Sequence, residues 1–173
     1  MVAATHLAFS YAHLAAGRAA DAIEPARASL EGHGRANKAN AGMSAALLAA
    51  ALLEAGDLTA AQTTAAEAIA LCRRSLRGAY EAAAHGVMAR ALLRRDGAGA
   101  QGAAEAALAE AAALIERTGA KLLAPALCEW RAELAAVLGD TALREQRLRE
   151  AQHGYEEIGA PLQAERLARE RAT

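Results

Sequence analysis

Small and aliphatic residues recur three and four positions apart through most of this chain, broken at near-regular intervals by glycine. The clearest stretch runs from Ala41 to Arg74, AGMSAALLAAALLEAGDLTAAQTTAAEAIALCRR. At that spacing Leu47, Leu48, Ala51, Leu52 and Ala55 share one face of a helix. Gly56 supplies the left-handed backbone that ends a helix without a Cβ penalty, and Asp57 can accept hydrogen bonds from the unpaired amides that begin the next one. Ala61, Ala65, Ala68 and Ile69 line the second helix, and their small size lets the two backbones approach closely. The stretch predicts a tight antiparallel hairpin.

The rest of the chain repeats that unit. Residues Val2 to Ala16 predict a first helix, Gly17 a turn, and Ala19 to about Leu30 the return, with Pro25 expected to kink the return helix or mark a late start. Glu31 to Asn40, EGHGRANKAN, has two glycines and two asparagines and predicts the loop between hairpins. Gly78 interrupts after the central hairpin, and a fifth helix runs to Arg95. A sixth helix is expected over about Gly102 to Thr118, a seventh over Leu122 to Leu138 and an eighth over Thr141 to Ile158. The ninth starts at Pro161, a residue suited to a first helical turn. SAALLAAALL from Ser44 parallels AAHGVMARALL near Ala84, so that Leu52 and Leu53 fall on Leu92 and Leu93. LAEAAALIERTGAKL from Leu108 parallels LREAQHGYEEIGAPL from Leu148, with Gly119 and Gly159 placed to end their helices.

Turn glycines at 17, 56, 97 and 139 are spaced 39, 41 and 42 residues apart. That period exceeds the about 34 residues of a tetratricopeptide repeat and approaches that of longer two-helix solenoids. The pattern predicts an all-α, right-handed α-solenoid of four antiparallel helix hairpins, about 2–31, 41–75, 79–118 and 121–158, in a single domain over 1–173. A capping helix at 161–171 closes it, marked by the polar outer face of Glu165, Arg166, Arg169, Glu170 and Arg171.

Composition agrees with an all-helical reading: aromatic residues are only 3% of the 173 and no stretch alternates apolar with polar for long. The formal net charge of −1 gives no overall attraction to nucleic acid or an anionic membrane. The longest apolar run, Ala45 to Leu53, is far short of the ~20 residues of a membrane-spanning helix, and MVAATHLAFSYAHLAAG lacks a basic leader. A cytoplasmic protein is expected. The first helix spreads Leu7, Phe9, Tyr11, His13 and Leu14 around much of its circumference. This end is therefore expected to be cut from a longer chain or to meet a partner or a second copy, the latter making a homodimer through the N-terminal hairpin.

Candidate chemistry is sparse, and no enzyme activity or cofactor is expected. Gly97, Gly99 and Gly102 in GAGAQG satisfy GxGxxG, but a helix ending in Arg94 and Arg95 precedes them where a dinucleotide site needs a strand; an enlarged hairpin turn accounts for them. His6, His13, His33, His85 and His153 form no HExxH and have no cysteine at ligand spacing. Cys72 and Cys128 sit on apolar helix faces as reduced core residues. Ser10, Ser29, Ser44 and Ser75 lack an elbow motif or an oriented base. The cluster Arg73, Arg74, Arg77, Arg94 and Arg95 has no interleaved aromatics and suits helix ends better than nucleic acid.

Small or aromatic residues before a turn glycine, with alanine five positions later (Gly17 with Ala22, Gly56 with Ala61), make the chain similar to tetratricopeptide proteins. The closing YEEIGAPLQAERLARE, Tyr155 to Glu170, resembles the last repeat of large bacterial signalling proteins, where a helical-repeat region follows an AAA-type or related ATPase module, often with a nucleotide cyclase or transcription-activator domain. The resemblance implies a region that docks proteins or senses effectors at the C-terminal end of a regulator. With no GxxxxGK[ST] loop and no recognisable cyclase or DNA-binding segment, ATPase and cyclase activity do not carry over.

In tetratricopeptide-like stacks the first helix of each hairpin lines a concave groove. Transferring that register selects Met43, Ala46, Ala50 and Leu53, then Arg90 and Arg94 one turn apart, then Glu129 and Glu133, with Leu7 and Tyr11 as an apolar floor. The four charges suit either an ion-pair ladder between repeats or a clamp in which arginine grips a peptide carboxylate. The expected function is a non-enzymatic protein or peptide interaction scaffold, the docking or sensor region of a bacterial regulator. The alternatives are small-molecule effector binding in the same groove, above an apolar pocket near Met43, Val87 and Trp130, and homodimerisation.

Overall fold

The computed structural model describes residues 2–36 and 38–172. Among them the apolar three-and-four pattern folds as nine α-helices and no strand: α1 Val2–Ala15, α2 Ala19–Ala36, α3 Lys38–Glu54, α4 Leu58–Arg74, α5 Gly78–Asp96, α6 Gln101–Thr118, α7 Ala124–Val137, α8 Thr141–Glu157 and α9 Pro161–Arg171. Short 3₁₀ turns, Gly97–Ala100 and Lys121–Leu123, precede α6 and α7. The GAGAQG segment is thus an enlarged turn, as its flanking helices predict. Each helix packs on the next in chain order, and the odd-numbered helices also touch in turn, α1 on α3, α3 on α5 and α5 on α7. No described helix is long and apolar enough to cross a membrane.

The core is built from alanine with a few leucines. Ala22, Ala26, Ala45, Ala49, Ala61, Ala65, Ala68, Ala82 and Ala89 are fully buried, as are the larger Leu53, Leu93, Leu114 and Leu167. Side chains this small place helices at the close end of the usual interaxial range. Glycine brings them closer at several contacts. A Cβ on Gly42 of α3 would stand 2.7 Å from Cys72 Sγ on α4, and one on Gly86 of α5 would stand 2.6 Å from the Trp130 ring on α7.

The loop expected over Glu31 to Asn40 is a correction: α2 continues to Ala36 and α3 begins at Lys38, with Asn37 outside the described residues. Tertiary contacts outweigh the local turn propensity here. Gly32 lies under α1, where a Cβ would reach 2.9 Å from Ala3 Cβ, and His33 is buried. His33 Nδ1 is 2.8 Å from Ser44 Oγ, which is 2.9 Å from Ser29 Oγ, and Ser29 Oγ donates to the Ala3 carbonyl at 2.9 Å. One direction of donation satisfies all three groups: Nδ1–H to Ser44, Ser44 to Ser29, Ser29 to the carbonyl. This relay ties α1, α2 and α3 together. Pro25 lies inside α2, well past its start at Ala19, so it does not mark a late start.

The turns follow one scheme. At Gly56 the amides of Gly56 and Asp57 donate back to the carbonyls of Leu53 and Leu52, and the Asp57 carboxylate accepts from the Ala60 amide at 3.1 Å. Gly139 and Asp140 repeat it, with Asp140 capping Leu143 at 2.9 Å. The turn after α4 uses the same backbone bonds, Leu76 to Arg73 and Arg77 to Cys72, but the left-handed residue is Leu76, with φ 55°. Gly78, expected to interrupt there, instead starts α5 and lies against Thr118. A left-handed L-residue is disfavoured by about 1–2 kcal/mol, part of which a glycine recovers. Leu76 is 91% exposed and contributes no packing to offset that strain. Leu76→Gly is therefore expected to stabilise the fold by about 0.5–1 kcal/mol in urea unfolding; an unchanged or lower midpoint would contradict the strain.

Candidate functional site

Because the odd-numbered helices contact one another in turn, residues near their C-terminal ends meet on one side of the molecule. There they surround a cavity of about 810 Å³ lined by Leu14 of α1, Glu54 of α3, Arg90 and Arg94 of α5, and Glu129, Trp130 and Glu133 of α7. Arg144 and Tyr155 of α8 and Arg166 and Glu170 of α9 complete its far wall, while Gly17 and Ala19 at the first turn complete the near one. Leu14, Glu54, Arg94 and Glu133 are 40, 40 and 39 residues apart, so equivalent places on successive odd helices carry a leucine, an acid, a base and an acid.

Those charges form a continuous network. Arg90 Nε bonds Glu133 Oε2 at 2.7 Å and its Nη1 meets Glu54 Oε1 at 2.8 Å. Arg94 Nε bonds Glu133 Oε1 at 2.7 Å, and its Nη1 reaches Glu54 at 3.5 Å and the Leu53 carbonyl at 3.4 Å. Glu54 of α3 and Glu133 of α7 thus clasp two arginines of α5 between them. Glu129 continues the line, accepting from Tyr155 Oη and from Arg166 Nη2, both at 2.5 Å. Glu170 receives Arg166 at 3.7 Å and Arg144 at 2.7 Å. Four carboxylates and four guanidiniums line the cavity, leaving it formally neutral.

Burial sets the electrostatics. It opposes ionisation of Glu133, yet the arginines on both sides outweigh it and hold the carboxyl below its ordinary value. Arg90 shows the mirror case: burial weakens its charge, but Glu133 and Glu54 raise its pKa overall. Burial, then the Glu129 carboxylate, pushes the Tyr155 phenol up, so it stays protonated and donates. These pairs are only partly exposed, Arg90 at 20% and Glu133 at 24% of the side chain, and are shielded from solvent more than surface pairs.

Arg90, Arg94, Glu129 and Glu133, expected in the groove, all line this cavity. The other expected positions do not line it. Ala46 and Leu53 are 6% and 1% exposed and belong to the core, because α3 is enclosed by α2, α4 and α5 and only its last residue, Glu54, reaches the cavity. Met43 and Ala50 are half-buried and outside the lining. Leu7 is half-buried and Tyr11 exposed on α1, which contributes Leu14 instead. The register of an open groove misses a helix packed on several sides. Glu54 had a signal in the sequence, the near-forty spacing to Arg94 and Glu133; Arg144 and Tyr155 had none, and Arg166 and Glu170, expected on the polar outer face of the capping helix, line the cavity instead.

Cys72 and Cys128 are free; burial, reinforced by Glu81, pushes the Cys72 thiol up to about 11. No three His, Cys, Asp or Glu side chains gather as metal ligands among the described residues. The chain matches no protein-family model and no curated protein.

Replacing Glu133 by glutamine leaves both arginines without one of their two shared carboxylates, and Glu133→Gln is expected to lower stability at pH 7 by about 1–3 kcal/mol. Because the folded-state pKa of Glu133 is depressed, its contribution is present above the ordinary value of 4.5 and is lost as pH falls through the folded value. Thermal melts of the two proteins should therefore converge as pH falls below 4.5 and through the folded value; a gap that persists undiminished to pH 2 would assign the effect to something other than this ionisation.

Proposed function

We propose that this protein is a non-enzymatic docking module in which the odd-numbered helices of a right-handed α-solenoid form a concave face that takes a peptide segment of a partner protein. The near-forty spacing of Leu14, Glu54, Arg94 and Glu133, together with the serial contacts of α1, α3, α5 and α7, supports the repeat reading. The resemblance of the closing segment to bacterial signalling proteins supports a place as the docking or sensor region of a cytoplasmic regulator.

The observation that carries the reading is a neutral cavity with alternating charges around a single tryptophan. Guanidiniums held in plane by Glu54 and Glu133 each have five donors, more than those two carboxylates engage, and planar donors suit an incoming carboxylate. Trp130 offers an apolar surface beside them. A peptide with an acidic residue next to an apolar one meets both features. The volume of about 810 Å³ also favours the second reading, a small zwitterionic effector, since it falls within the about 300–1,000 Å³ of small-molecule sites.

Trp130 is the only tryptophan and lines the cavity, so its fluorescence reports on changes at that wall. Peptide-library display on the protein is expected to enrich acidic–apolar peptides that shift Trp130 emission. The double variant Arg90→Ala/Arg94→Ala should bind them at least about tenfold more weakly while remaining folded by circular dichroism. Equal affinity of the double variant for the enriched peptides would reject the arginine clamp, and enrichment of none would reject peptide docking.

A further inference from the structure

The seam between α6 and α7 is the least extensive of those joining successive hairpins, well short of α2 with α3 or α4 with α5. The 3₁₀ turn at Lys121–Leu123 lies in this joint, and Leu122 on it is 70% exposed. Where α6 fails to close on α7 and α8 it leaves a second cavity of about 450 Å³. Leu108, Leu134, Leu138 and Leu143 form its apolar wall, with Leu138 and Leu143 open to solvent.

Four charged residues stand around it, and three are engaged. Glu105 accepts from Gln101 at 2.9 Å, Asp140 caps the Leu143 amide at 2.9 Å, and Arg147 pairs with Glu150 at 2.7 Å. Arg131 of α7 makes no hydrogen bond or ion pair among the described residues. It feels the charge of Glu150, but that carboxylate is bonded by Arg147 and Gln146. A half-buried guanidinium beside an aliphatic wall is thus the unmet charge of this site, and it is positive. The volume of about 450 Å³ falls within the about 300–1,000 Å³ of small-molecule sites.

We propose that this cleft binds a small amphiphilic carboxylate, its aliphatic body on Leu108, Leu134, Leu138 and Leu143 and its carboxylate on Arg131. The site is separate from the charged cavity on the other side of α7 and does not depend on the peptide-docking reading. A guanidinium contributes the charge-assisted bonds, and the leucines contribute burial in proportion to the area covered.

Decanoate titrated into the full chain by calorimetry tests it. Saturable binding at one site is expected, weakened about tenfold in Arg131→Gln and largely kept in Arg131→Lys. Leu138→Asp should abolish binding, whereas Arg90→Ala/Arg94→Ala should leave it unchanged. The substituted side chains are exposed or half-buried, and circular dichroism confirms that each variant is folded. Non-saturable binding, equal affinity in Arg131→Gln, or loss of binding in the Arg90/Arg94 variant would each overturn the proposal.

Discussion

How closely the helix backbones approach one another decides the rest of this structure. With alanine on most buried positions, and glycine where Gly42 meets Cys72 and Gly86 meets the Trp130 ring, adjacent helices sit near the minimum separation. Close approach has two consequences. Little aliphatic volume is available per contact, so the stability of the fold depends on many small contacts rather than a few large side chains. Long polar side chains on neighbouring odd-numbered helices also come within reach of one another, which a leucine-filled interface would have kept apart.

That second consequence produces the charged cavity. Glu54, Arg90, Arg94 and Glu133 come from three helices far apart in sequence, yet their atoms meet at 2.7–3.5 Å. Placing acid, base and acid on successive helices avoids the repulsion that one repeated sign would create, and makes the same surface neutral and densely polar. The pairs do not make it rigid by energy alone, since partly exposed ion pairs contribute modestly. They hold planar guanidiniums in fixed orientations, which is the preorganisation that recognition of a carboxylate requires.

Where the helices do not approach closely, the surface has a different character. Between α6 and α8 the gap over α7 exposes leucine rather than paired charge. One helix, α7, therefore presents Glu129 and Glu133 to one side and Leu134 and Arg131 toward the other, with Leu138 just past its end. Two cavities of different lining share this element.

Helix identity and most turns were legible in the order of residues, because three-and-four apolar spacing and a left-handed glycine are local features. Gly17, Gly56, Gly119, Gly139 and Gly159 all adopt positive φ, and Asp57 and Asp140 cap the helices that follow. Composition misled where tertiary contacts prevailed. Glycine in EGHGRANKAN serves packing against Ala3 instead of a loop, and Leu76 occupies the position assigned to glycine near residue 78. Enclosure of α3 moved Ala46 and Leu53 into the core, since a sequence shows which residues share a face but not how many neighbours cover it. The local chain determined the nine helices of the described residues, most of their ends and the near-forty spacing of charges along it. Only the tertiary structure decided which of those charges meet, because the meeting of Glu129 with Tyr155 and Arg166 depends on distances across helices that no local pattern encodes.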